Sequence, residues 1–308
     1  MILCCGEALI DMLPAQTKVG SEGFVPHSGG AVFNTAIALG RLGTGVSMFT
    51  GLSNDMFGQQ LAAALHASHV DISLAVTSDR PTTLAFVRLV DGQATYSFFD
   101  ENSAGRMLFP SDLPTLPGEV SALYFGGISL ACEPGALAYQ ALLEREGGSR
   151  AVMLDPNIRP GFVKDEASYR SRLDVMLRRS DIVKVSDEDL NWIEPTPVSF
   201  REKAKALLEK GAALVIVTRG SDGATGYLPD GSKVHVPGVR VASVDTVGAG
   251  DTFNAGVLSK LSEFGVLQKP RLRELDAETV RQALTHGARV AAVTVSRAGA
   301  NPPWAEEI

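Results

Sequence analysis

The chain has 308 residues, 45% of them hydrophobic and 20% charged, enough for one large α/β domain or two smaller ones with ample core either way. Its formal net charge of −7 argues against a nucleic-acid surface, and no apolar run approaches the roughly 20 residues of a membrane span. Cys4, Cys5 and Cys132 are odd in number and lie in no Cys-x-x-Cys or His-rich pattern, so neither a disulfide framework nor a zinc site is favoured; with no basic, apolar leader, a cytoplasmic protein is expected.

Short apolar runs at residues 2–6, 46–51, 122–126, 151–155, 181–185 and 213–218 read as buried strands. Helical spacing alternates with them at 31–42, 57–68, 134–146, 168–179 and 200–210, and returns at 277–295. Such alternation predicts an α/β fold in three layers, with helices on both faces of a mostly parallel central sheet and ligands beyond the carboxyl ends of its strands. Two β-rich runs, 82–90 and 93–100, flank Asp91-Gly92, a hairpin signal that breaks the rhythm. With the irregular stretch 12–28 they are expected to form a small projecting β-sheet, a lid drawn from about 12–28 and 82–103; an antiparallel edge on the main sheet is the alternative. No repeat or linker divides the chain, so residues 1–308 are read as a single domain with the lid inserted in it.

The most informative segment is Asp245-Thr246-Val247-Gly248-Ala249-Gly250-Asp251. Phe253, Val257, Leu258, Leu261 and Phe264 follow at helical spacing, so Gly248, Ala249 and Gly250 open a helix whose dipole places roughly half a positive charge there. That is an anion hole with a carboxylate beside it: Asp251 either accepts a proton from an attacking hydroxyl, as phosphoryl transfer to an alcohol requires, or merely caps the turn. Neither a Gly-x4-Gly-Lys-Ser/Thr loop nor a Gly-x-Gly-x-x-Gly after the first strand is present, so phosphates must be held another way. Thr218-Arg219-Gly220-Ser221-Asp222-Gly223 follows a buried strand and offers a second cradle.

Asp11, closing the first strand region, and Asn34, behind Gly29-Gly30, have the chemistry to grip vicinal hydroxyls, and equally that of turn and cap residues. Arg159 in Asp155-Pro156-Asn157-Ile158-Arg159 and Lys184 in the next strand place cations at strand ends, where they steady phosphoryl groups or lie on a solvated face. Glu188 and Asp189 are suited to the water shell of magnesium. His286 and Gly287, on the last helix, are candidates to flank an adenine or to pack in the core.

Over essentially its full length the chain resembles the ribokinase-like (PfkB) family of carbohydrate kinases. Gly29-Gly30-Ala31-Val32-Phe33-Asn34-Thr35-Ala36 through Leu42-Gly43 looks like the family's N-terminal signature, and Asp245 to Asp251 with its helix looks like the C-terminal one. The resemblance implies the ribokinase-like fold, Asp251 as catalytic base, an anion hole at Gly248 to Gly250, and a sugar held by Asp11, Gly30 and Asn34. It also implies Arg159 near sugar and phosphate, and Thr218, Gly220 and Gly223 in the nucleotide loop. ATP and Mg2+ are implied as cofactors, with K+ near Asp245. Where many relatives carry Asn-x-x-Glu, this chain has Ser186-Asp187-Glu188-Asp189.

Within the family, Gly6 to Asp11, Glu101 to Leu108 and Val183 to Asp189 look most like the bacterial fructokinases, which narrows the acceptor to a ketohexose, fructose at O6 being favoured over O1. Arg106 is a substrate contact by position, and would be the extra cation if the acceptor were an acid such as 2-keto-3-deoxygluconate. Ribose, a nucleoside, or a catalytically silent sugar sensor are the other readings, and a homodimer through the lid is the expected assembly because the hairpin has edges to protect.

Overall fold

The computed structural model describes residues 1–90 and 93–308. In chain order its strands are β1 (Ile2–Cys5), β2 (Leu9–Gln16), β3 (Glu22–Gly29), β4 (Val46–Phe49), β5 (Gly51–Ser53), β6 (Val76–Ser78), β7 (Leu84–Val90), β8 (Gln93–Phe99), β9 (Ala122–Gly126), β10 (Ala151–Asp155), β11 (Ile182–Ser186), β12 (Leu214–Thr218), β13 (Ala224–Tyr227) and β14 (Lys233–Val236). Its α-helices are α1 (Ala31–Arg41), α2 (Met56–Ala67), α3 (Gly135–Glu146), α4 (Glu166–Leu177), α5 (Asp187–Ile193), α6 (Phe200–Glu209), α7 (Ala249–Glu263), α8 (Lys269–Leu272) and α9 (Ala277–Val295).

Eight strands form the main sheet in the order β14-β13-β12-β11-β10-β9-β1-β4. From β4 to β12 neighbours are parallel, whereas β13 is antiparallel to both β12 and β14. The central strands are mostly apolar because both faces are covered, with Asp155, Lys184, Ser186 and Thr218 the exceptions in β10 to β12. Ile2, Cys4, Met153 and Ile216 enter a core under α1, α2, α7 and α9, while Leu3, Cys5, Val152 and Val217 enter a second core under α3, α4, α5 and α6. Cys4 and Cys5 therefore pack on opposite faces, and burial raises both thiols above their ordinary range. This is the three-layer α/β/α arrangement expected from the alternation of patterns. The chain runs outward from β1 to β4 and then resumes on the other side with β9, so the topological switch lies between β1 and β9, where open α/β sheets leave a crevice.

Helix starts follow local chemistry. Asp55 caps α2 through the amides of Phe57 and Gly58, and Ser199 with Glu202 closes a capping box on α6. Asp165 accepts from Ser168 N, so α4 begins at Glu166, two residues before the start predicted from its apolar spacing. Helices α7 and α9 cross where Gly256 faces Gly287: a Cβ on Gly256 would sit 2.7 Å from Gly287 Cα.

The second sheet has four strands in the order β3-β2-β7-β8. It consists of two antiparallel pairs, β2/β3 and β7/β8, joined by a parallel pairing of Ile10–Met12 of β2 with Leu84–Phe86 of β7. It is separate from the main sheet, not an edge of it. The stretch 12–28, read as irregular, is mostly strand: Pro26 lies in the edge strand β3, and Pro14 lies beyond the part of β2 that pairs with β7, so neither disrupts a central ladder. The Asp91-Gly92 signal falls outside the described residues. Strands β5, β6, β13 and β14 carried no signal that singled them out. Among the described residues no helix is long and apolar enough to cross a membrane.

Candidate active site

Most of what lines the main crevice comes from the carboxyl ends of the parallel strands and from the first turns of α1 and α7, and the second sheet adds Leu9, Asp11 and Phe98. Gly248 caps α7 in the left-handed region, φ 77°, and a Cβ there would lie 2.6 Å from the Ala300 Cβ; an L side chain would be strained and crowded at once. In the turn it makes, the Ala249 amide reaches back to the Thr246 carbonyl (3.3 Å), and the amides of Gly250 and Asp251 are first-turn donors outside the regular helical ladder.

Asp251 is 7% exposed, and its Oδ2 accepts from Asn34 Nδ2 at 2.9 Å. Thr35 Oγ1 donates to the Asp251 carbonyl (3.1 Å), so two residues of α1 fasten the start of α7. Burial raises the Asp251 carboxyl to about 7, against the opposing pull of the Asn34 hydrogen bond. A carboxylate so placed ionises close to neutrality and is a competent proton acceptor.

Behind this turn stands a buried ion pair. Lys184 Nζ donates to Asp155 Oδ2 at 2.9 Å, and Asn254 Nδ2 donates to the same oxygen at 2.7 Å. Burial opposes the Lys184 charge, but the Asp155 carboxylate more than offsets it and holds the ammonium above its ordinary range. A Cβ on Gly250 would come within 3.3 Å of Lys184 Nζ, so the cation lies directly against the glycine turn.

Two cavities meet here. The first, of about 480 Å3, is lined by Glu7, Asp11, Gly30, Asn34, Asn157, Arg159, Lys184, Glu188, Asp189 and the 246–251 turn, with Phe98 and Phe162 at one wall. Burial raises the Asp11 carboxyl to about 6. Asp189 Oδ1 accepts from Ile158 N (3.0 Å), whereas Glu188 is exposed. The Arg159 guanidinium is exposed and donates to the Ile158 carbonyl (3.1 Å). The second cavity, of about 600 Å3, runs from Thr218, Gly220 and Gly223 to an apolar slot of Phe253, Ala288, Ala291, Ala292 and Val295. Thr218, Thr246, Ala249 and Gly250 line both, so the glycine turn is the junction.

Four residues singled out in the sequence lie elsewhere. Arg106 lines a neighbouring cavity, where it pairs with Asp100 (3.0 Å) and donates to the Glu133 carbonyl (2.9 Å). His286 and Gly287 do not line the apolar slot: His286 sits beside Lys260, Glu263 and Arg289, and Gly287 packs against Phe253 and Gly256 of α7. The α9 residues that do line it are Ala288, Ala291, Ala292 and Val295. Asp245 ties a loop, its oxygens accepting from Val247 N (3.0 Å) and Gly299 N (2.9 Å).

Glu7, Asp155 and Phe162 were given no site role from the sequence. Asp155 closes an apolar strand, and a lone carboxylate ending such a run is the signal that could have marked it. Glu7 carries the same signal just past β1. Phe162 carries none, since its contact with Phe98, ring centroids 4.0 Å apart, joins β8 to a turn distant in sequence.

A fructokinase of Rhizobium leguminosarum bv. trifolii is 53% identical over 281 residues, 91% of this chain and 86% of that protein. The crystal structure of fructokinase with bound ATP from Xylella fastidiosa superposes with a TM-score of 0.89 at 29% identity, covering 97% of this chain and 93% of that one. The fructokinase from Vibrio cholerae O395 in its fructose, ADP and calcium ion bound form gives a TM-score of 0.83 at 26% identity, covering 97% and 94%. With the model of the pfkB family carbohydrate kinases matched across residues 1–307, the chain belongs to that family.

Proposed function

We propose that the protein is an ATP-dependent fructokinase that transfers the γ-phosphoryl group of ATP to O6 of fructose in the cytoplasm. The observation that carries this reading is the junction of the two cavities at the Gly248–Asp251 turn, with a buried carboxylate in the first turn of a helix. The 53% identity to a fructokinase supports the choice of acceptor.

In this reading fructose occupies the cavity of Asp11, Gly30 and Asn34, and ATP the other, with adenine against Ala288, Ala291 and Ala292 and phosphates toward Thr218, Gly220, Gly223 and the turn. Asp251 takes the proton of the attacking hydroxyl as phosphorus arrives in line. The α7 amides, Lys184 and Arg159 stabilise the charge that moves between the two oxygens. Magnesium, when bound, would neutralise the phosphate oxygens, and Glu188 would meet its water shell, since Asp189 is committed to Ile158 N. Potassium belongs at the loop that Asp245 ties, and activity in K+ against Na+ tests it.

One observation favours a neutral sugar over a sugar acid. Glu7, Asp11 and Asp251 converge on the acceptor end, while the Arg106 guanidinium is held by Asp100 in the neighbouring cavity. The four-stranded sheet contributes Leu9, Asp11 and Phe98 to the same cavity and acts as its lid. Its opposite face carries Phe24, Phe86 and Phe99 in edge-to-face contact, with Phe24 and Phe99 exposed, and a second copy pairs there as a homodimer. ADP release measured across ketoses, aldoses and sugar acids tests the whole: fructose is expected to give the highest kcat/KM, with fructose 6-phosphate as product. Preference for an acid would refute the acceptor assignment, and no ADP with any sugar would refute the activity.

A further inference from the structure

Helix α1 begins at Gly30, which has no side chain to cap it, yet its first turn carries the Gly30, Ala31 and Asn34 of the acceptor end. The cap comes from another element. Glu7, two residues past β1 and 7% exposed, accepts from Ala31 N with Oε1 at 3.0 Å. Its Oε2 accepts from Ser129 N at 3.2 Å, in the turn that follows β9. Its own carbonyl accepts from Phe33 N (3.2 Å). The closure is tight: a Cβ on Gly127 would lie 2.0 Å from Glu7 Oε1, and one on Gly30 would lie 2.9 Å from the Glu7 carbonyl oxygen.

The two segments joined this way, 30–34 and 127–129, stand on either side of the β1/β9 switch point and have no backbone ladder between them. Burial opposes the Glu7 charge, so a carboxylate is a costly residue here unless both oxygens are used. Aspartate is a methylene too short to span the gap, and glutamine offers one acceptor where two amides need one each. We infer that Glu7 is the positioning residue of the acceptor end, setting the distance between the first turn of α1 and the 127–129 turn to fit a furanose-sized polyol. The inference rests on the assignment of fructose to this cavity.

Steady-state ADP release with Glu7→Gln, Ser129→Ala and Asp11→Asn proteins tests it. Glu7→Gln is expected to raise KM for fructose about tenfold or more, the equivalent of one hydrogen bond to a charged group, and to leave KM for ATP within about twofold. Ser129→Ala removes the hydroxyl that holds the same turn to the Gly126 carbonyl (2.7 Å); it is expected to raise KM for fructose about threefold, and it carries the test if Glu7→Gln fails to fold. Unchanged KM for fructose in both variants, with only Tm or kcat lowered, would overturn the inference and leave Glu7 a structural cap. Asp11→Asn separates the two levels: if it raises KM for fructose while Glu7→Gln does not, only the role of Glu7 fails, and if it changes nothing, the acceptor assignment fails with it.

Discussion

Replacing Asp251 by Asn should slow the enzyme and strengthen the fold at the same time. The carboxyl titrates at about 7 in the folded protein because burial opposes its charge, against 3.8 when exposed. Between those pH values the unfolded chain has released the proton and the folded one still holds it, so this group's contribution to stability is full below about pH 4 and is lost as pH rises through 7. Each tenfold in proton affinity is about 1.4 kcal/mol, which puts the loss above pH 7 at up to about 4 kcal/mol. Asparagine keeps an oxygen for the Asn34 amide and is never ionised, so it escapes the loss. Urea denaturation should find Asp251→Asn within about 0.5 kcal/mol of wild type at pH 4 and about 2–4 kcal/mol more stable at pH 8. Turnover at pH 8 should fall about 10²–10⁴-fold, and wild-type kcat/KM should decline below about pH 7 with loss of one ionised group. A variant that keeps turnover within tenfold, or whose stability advantage does not grow with pH, would refute both the assigned base and its burial.

Three further outcomes follow from the same geometry. Lys184→Met leaves Asp155 buried without its cation and should cost about 3–5 kcal/mol in thermal or chemical denaturation, with Asp155→Asn in the same chain restoring part of it. Gly248→Ala forces an L residue to φ 77° against Ala300; a loss of about 1–3 kcal/mol and a fall in turnover of roughly 10²-fold are expected, read by melting and by ADP release. Arg106→Ala breaks a partly exposed pair with Asp100 away from the acceptor cavity, so KM for fructose should stay within about twofold and stability within about 1 kcal/mol of wild type.

The sheet and its helices were legible because each strand buries two faces and each helix one. Continuous apolar runs and 3.6-residue spacing therefore survive in the sequence whatever surrounds them, and the 277–295 stripe coincides with α9. The turn at 248–251 was legible for a related reason: small residues followed by an amphipathic run announce a helix start. The second sheet was only half legible, since β2 and β3 are partly exposed and contain Pro14 and Pro26, and β2 pairs with β7 across more than 70 residues of chain. Arg106 shows the limit of position along the chain. Its guanidinium is turned by Asp100, a neighbour six residues away, into a different cavity.

By itself, then, the sequence determined the layers, the order of the parallel strands' helices, and the glycine-rich helix start beside Asp251, all of which depend on local spacing and local chemistry. Only the tertiary structure decided which side chains share a cavity: Asn34 on Asp251 across 217 residues, Glu7 between Ala31 and Ser129, and Ala288 rather than His286 beside the apolar slot. The reason is physical. A hydrogen bond or a cavity wall depends on the distance between elements, and that distance is set by how two cores pack on one sheet, which no stretch of the chain encodes alone.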